Sequence, residues 1–228
     1  MDASRFNSKP KWINPCGGEP NAELYTSDLP ESRSVDGTDT GKPFESILLA
    51  ARLAKDTAEN FKEKYVQQTF NVGFAGWHAN WKSTHFDWLP SSAQIPKSLG
   101  EPTPQEHLEK LQLDSALKDI YKYLQMYAVG LEQVTWDQED IKGDFWSSFK
   151  DAEHALKATL CEVQVLMVER NVRQHPDVQR DLMDSNVRQN NSTSHRNLRD
   201  WLIYRDYMNG LEYVIEVLEH FERQYPSS

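Results

Sequence analysis

The sequence predicts an all-α protein, a four-helix bundle of up-up-down-down topology with two long crossover connections. Three observations carry this expectation. Apolar residues recur at helical spacing over four stretches, roughly Phe44–Phe70, Thr103–Trp136, Asp144–Arg173 and Ser194–Tyr225. Each is far longer than the about 11–12 residues of an average globular helix. The connections run long, short, long: only a few residues around Asp137–Gly143 join the second and third stretches, whereas the other two links are long enough to cross a bundle and let consecutive helices run parallel.

The first helix opens at Pro43, whose missing N–H costs nothing in a first turn. Its seam is Phe44, Ile47, Ala51, Ala54, Ala58, Phe61 and Tyr65. The second begins at a T-x-x-E capping box, Thr103 to Glu106, with Pro104 in the first turn. Leu113, Leu117, Ile120, Leu124, Tyr127, Leu131 and Val134 form its seam, and Gly130 within it marks a close helix contact. Gly143-Asp144 ends the short turn and caps the third helix, whose seam runs Phe149, Ala152, Leu156, Leu160, Val163 and Met167. Trp201, Tyr204, Met208, Leu211, Ile215 and Leu218 carry the fourth, which Pro226 stops. The first long loop is rich in aromatics, Phe74, Trp77, Trp81, Phe86 and Trp88. They either pin the loop to the bundle or form a binding surface.

Composition narrows the function. A net charge of −10 and a pI of about 5.2 argue against nucleic acid or an anionic membrane as partner. No run of about 20 apolar residues is present, so no membrane insertion is expected. Residues 1–42 are rich in Pro, Gly, Ser, Asp and Glu without any period and predict a disordered tail; residues 43–228 make the bundle. Met1–Pro10 lack an apolar core, so no secretory signal is visible there. A removed signal, unconventional release and cytosolic residence are all compatible with that. The two cysteines, Cys16 and Cys161, either form one bridge or stay as free thiols.

Catalytic constellations are missing. The chain has no G-x-S-x-G, G-x-G-x-x-G, P-loop or C-x-x-C pattern. A di-metal bundle would need Glu-x-x-His on two helices, and Asp151-x-x-His154 stands alone. His78 and His85 lack a matching carboxylate pair. The expectation is therefore a non-enzymatic protein with no cofactor and no metal, working through its surface.

Several segments resemble a known family. Phe86-Asp87-Trp88-Leu89-Pro90-Ser91 followed by Ile95-Pro96 is similar to an F-x-x-LP…LP loop, and His107-Leu108-Glu109-Lys110-Leu111-Gln112-Leu113-Asp114-Ser115-Ala116-Leu117 to an H-E-R-L-x-L-D-x-A-L helix start. Lys64-Tyr65-Val66-Gln67-Gln68 looks like a Y-V-x-x-Q segment. Together they resemble the ciliary neurotrophic factor and cardiotrophin branch of the interleukin-6-type long-chain cytokines, over roughly residues 44–223 and thinly in the third helix. The resemblance implies a secreted, monomeric ligand that clusters cytokine receptor ectodomains and signals through JAK and STAT proteins.

Two receptor surfaces follow from it. Ala158, Cys161, Val165, Val168 and Val172 line a second apolar strip on the third helix, opposite its seam. By resemblance this strip meets the shared signal-transducing receptor glycoprotein; alternatively the long loop or the tail covers it. The family's fourth helix opens with an F-x-x-K pair for the leukaemia inhibitory factor receptor. Alignment puts Leu198 and Trp201 there, and the missing lysine puts that receptor in doubt. Leu198 and Leu202 are expected to be exposed, with Arg199 and Asp200 as a polar rim; Trp201 is either core or part of the site. Asn190 and Asn191 head overlapping N-x-S/T sequons, so a glycan on one of them is expected in a secreted protein. An intracellular helical adaptor and a lipid-carrying bundle are the rival classes.

Overall fold

The structure, a computed structural model, describes residues 3–17, 44–190 and 192–225. All regular structure among these residues is helical. Four helices dominate: α2 (Glu45–Glu59), continued by α3 (Lys62–Phe70); α6 (Leu113–Asp140); α7 (Trp146–Glu169); and α9 (Thr193–Gln224). Short helices α1 (Ala3–Asn7), α4 (Phe74–Trp81), α5 (Gln105–Leu108) and α8 (Ser185–Arg188) lie in the N-terminal segment and the connections.

In the bundle, α2 and α6 each pack against both α7 and α9. Three of the five buried residues of α2 are alanines, Ala51, Ala54 and Ala58, which lets its neighbours approach closely. Arg52 pairs with Glu219 near one end of the α2–α9 contact, and the Tyr204 hydroxyl donates to the Ala58 carbonyl near the other. Those two helices are therefore antiparallel. The middle stretches of α6 (residues 123–135) and α9 (residues 199–211) are buried on every side.

The helix boundaries differ from expectation at instructive places. The first helix is not continuous from Phe44 to Phe70 but breaks at Asn60–Phe61. Tyr204 takes the Ala58 carbonyl, which an unbroken helix would give to the amide four residues on. The break turns Phe61 and Tyr65 into an aromatic cluster. Phe61 stacks on Tyr204 at 4.8 Å, and both Phe61 and Tyr65 meet Phe149 edge-on at 5.2 and 5.4 Å. The expected capping box at Thr103 does not form. The Thr103 amide instead donates to Glu216 at 2.6 Å, and His107 hydrogen-bonds the Tyr213 hydroxyl at 2.9 Å. Tertiary contacts thus hold α5 apart from α6. The residue preceding α7 is Phe145, not Asp144, and it makes no side-chain cap.

Two helices end in Schellman motifs. Lys142 adopts a left-handed conformation, and the Gly143 amide returns to the Gln138 carbonyl. Asn171 does the same after α7, with the Val172 amide on Met167. The helix therefore stops before the Arg173 end expected for it.

The N-terminal segment corrects a second expectation. Residues 3–17 are not a structureless tail: Trp12 is only 2% exposed and belongs to the hydrophobic core. Residues 18–42 of the expected tail lie outside the described residues.

Glycine sets the α6–α9 distance. A Cβ on Gly130 would lie 2.6 Å from Ile203 Cγ2 and 3.1 Å from Trp88 Cη2; one on Gly210 would lie 2.3 Å from the Tyr127 ring. Gly130 is thus the close contact that its position in the seam predicts. Gly210→Ala should gain about 1 kcal/mol in helix propensity and lose more to overpacking, for a net loss of about 1–2 kcal/mol. A lower urea midpoint with an unchanged slope is the expected reading.

Candidate functional site

The strip expected on the third helix is divided by the structure. Ala158 is exposed, Val165 is 42% exposed, and Val168 is half-buried. Val172 is 6% exposed, because the left-handed Asn171 swings it off the helix face and under the last turn. It and Val168 line a cleft of about 410 Å³ with Met167, Arg173, His175 and Pro176. Cys161 is bonded to Cys16, with the sulfurs 2.15 Å apart. The N-terminal segment therefore covers one edge of the strip.

That segment is held by a dense set of contacts. The Trp12 indole N–H donates to the Val178 carbonyl at 2.7 Å. Gln125 clamps the residues on either side: its amide nitrogen reaches the Trp12 carbonyl and Asp177, and its oxygen accepts from the Val178 amide. Lys11 bonds Glu153 at 3.0 Å. Burial raises the Glu153 carboxyl, and Lys11 opposes that rise. Arg180 is the hub. It pairs with buried Glu132 through two nitrogens at 2.6 and 2.9 Å, donates to the carbonyls of Phe6 and Ser8, and faces the rings of Trp12 and Trp136 at 5.6 and 5.4 Å.

The head of α9 differs most from expectation. Leu198 is half-buried against the core, while Arg199, Trp201 and Leu202 are buried. Arg199 and Asp200 form no exposed rim, and Leu202 offers no recognition surface. The cause is cover from both long connections. Arg199 donates to the carbonyls of Val187 and Arg188, and Arg205 to those of Trp81 and Thr84. Phe74 of α4 sits edge-on against Trp201 at 5.7 Å. The loop aromatics Phe74, Trp77, Trp81, Phe86 and Trp88 are partly buried and pack against the core. They pin the connection and leave one side to solvent.

Beneath this cover lies a buried polar belt. Arg199 serves two carboxylates, Asp137 and Asp200. Among the described residues Arg188 pairs with no carboxylate; it donates to Gln133 and to the carbonyls of Met183 and Arg180, and burial lowers it to about 10. Asp200 leaves one buried oxygen without a partner. Burial, with Asp137 sharing its cation, raises Asp200 to about 6.

Among the described residues, no group of three His, Cys, Asp or Glu is placed to hold a metal ion, and no helix is long and apolar enough to cross a membrane. Asn190 is half-buried and its side-chain oxygen accepts from the Ser192 amide at 3.1 Å; Asn191 lies outside the described residues. Two features escaped the sequence reading. Leu49 and Leu53, 68% and 61% exposed, project from α2 away from its seam. Their i, i+4 spacing off the seam was a readable signal. Trp12, an isolated aromatic in a Pro- and Gly-rich stretch, carried none. No family model, curated protein or solved structure matches the chain.

The Asp200 carboxyl has a defined pH consequence. Its folded value lies above the ordinary 3.8, so the native state holds a proton that the unfolded chain releases. Its contribution to stability grows as pH falls from about 7 through 6 toward 4. Asp200→Asn should remove that slope. Urea midpoints of wild type and variant across this range test it, and parallel profiles would refute the assignment.

Proposed function

We propose that the chain is an extracellular, non-enzymatic helical ligand that clusters cytokine receptor ectodomains and triggers JAK and STAT signalling. The observation that carries this is where uncommitted apolar surface lies. The large hydrophobic side chains left most exposed on the long helices include Leu49 and Leu53 on α2 and Val165 on α7. By resemblance, the outer faces of these two helices meet the shared receptor glycoprotein. Two exposed leucines one helical turn apart, set among polar residues, make a small apolar patch of the kind a partner covers.

Other features support the reading. The α2–α9 pair and the short α6–α7 turn favour antiparallel neighbours, and both remaining connections are long, as an up-up-down-down bundle requires. The Cys16–Cys161 bridge is at home in an oxidising compartment, which favours export over a cytosolic adaptor. A glycan at Asn190 or Asn191 would accord with export. The second receptor contact falls on Leu198 and the half-buried aromatics of α4, not on the buried Arg199, Trp201 and Leu202.

Receptor pull-down from responsive cells, read together with STAT phosphorylation, tests the proposal. Leu49→Glu with Leu53→Glu should weaken potency by about tenfold or more with an unchanged melting temperature, since hot-spot truncations cost about 2 kcal/mol or more. Val165→Glu with Val168→Glu should act in the same direction. Undiminished signalling by both folded double variants would overturn the α2–α7 assignment.

A further inference from the structure

We propose that the cleft between α6, α7 and residues 177–188 is a peptide-recognition groove whose resident ligand is the chain's own segment 3–17, and that thiol–disulfide exchange at Cys16–Cys161 opens it. The groove has the marks of a built recognition site. It takes an indole as its anchor, with Trp12 2% exposed and its N–H on the Val178 carbonyl. It grips main chain, through Gln125 on the Trp12 carbonyl and Arg180 on the carbonyls of Phe6 and Ser8. It has a charge selector, buried Glu153, answered by Lys11. A second guanidinium, Arg188, faces the Phe6 ring at 5.4 Å. These groups sit on α6, α7 and the α7–α9 connection, and they present one continuous surface to an aromatic-rich basic peptide.

The covalent closure is accessible. Cys16 is exposed and Cys161 half-buried, so an external dithiol can reach the bridge from the Cys16 side. The first thiolate of the dithiol attacks Cys16 Sγ, and Cys161 leaves as a thiolate that takes up a proton. The second thiol then displaces Cys16, which is protonated in turn. The dithiol ends as a disulfide, and two electrons and two protons have passed to the protein. Segment 3–17 is then held by noncovalent contacts alone and can exchange with another peptide of the same chemistry.

Hydrogen exchange of the full chain, oxidised and after dithiothreitol, tests this. Reduction should speed exchange at residues 5–17 by about tenfold or more while α6, α7 and α9 keep their protection. A fluorescein-labelled peptide of residues 3–17 carrying Cys16→Ser should bind the reduced protein and not the oxidised one. Binding should tighten with Trp12→Ala in the full chain, whose own segment competes less, and vanish with Trp12→Ala in the peptide. The full-length Cys161→Ser variant should behave as the reduced protein does. Unchanged exchange on reduction, equal loss of protection throughout the bundle, or peptide binding that ignores the redox state would each overturn the proposal.

Discussion

Two arginines on α9 hold both long connections onto the bundle. Arg199 donates to carbonyls of the α7–α9 connection, and Arg205 to carbonyls of the segment after α4. Each is followed in sequence by its carboxylate, Asp200 or Asp206. A guanidinium carries several donors in a fixed fork, so it can satisfy a neighbouring acid and two loop carbonyls at once. Without these donors the loop carbonyls would be stranded against the helix, and the charged stretch of α9 would have to face water. The burial of α9 on all sides, the cover over Trp201 and the placement of α4 all depend on this arrangement.

A second layer of the fold depends on shape. Gly130 and Gly210 bring α6 and α9 together, and the space fills with Ile203, Trp88 and the Tyr127 ring. At the other side the break after α2 admits Tyr204 to a freed carbonyl and assembles Phe61, Tyr65, Phe149 and Tyr204 into one aromatic cluster. Buried tyrosines here are held well above their ordinary titration range by desolvation, so they act as neutral spacers with one polar end. Polar groups inside this bundle are structural in the first instance. The outward faces carry the groups without such obligations, among them Leu49 and Leu53.

The long helices and their seams were legible because the 3–4 spacing of Ile47, Ala51 and Ala54, or of Leu117, Ile120 and Leu124, reports directly on a buried face. The short turn and the two long connections were legible from length alone. Other features were opaque for physical reasons. Asn171 is a residue type that tolerates the left-handed conformation and ends helices, but periodicity alone carried the helix past it and kept Val172 on the strip. Arg199 and Asp200 read as surface residues because charge is normally solvated; only the loops folded over them reverse that. Leu202 failed for the same reason, since a helical wheel treats the side away from the seam as solvent and knows nothing of α4. Trp12 had no periodic neighbours, so its burial follows from contacts far away in sequence.

The bridge between Cys16 and Cys161 has a consequence for the order of synthesis. Cys16 is made before its partner and must wait for a residue 145 positions further on. At ordinary translation rates of about 5–20 residues per second, that wait lasts roughly 7–30 seconds. The Trp12 acceptor Val178 and the hub Arg180 arrive later still. No other cysteine lies between the two, so through that interval Cys16 meets no competing partner in the stretch being added. The N-terminal segment thus stays unfastened until the third bundle helix and the connection after it have been made.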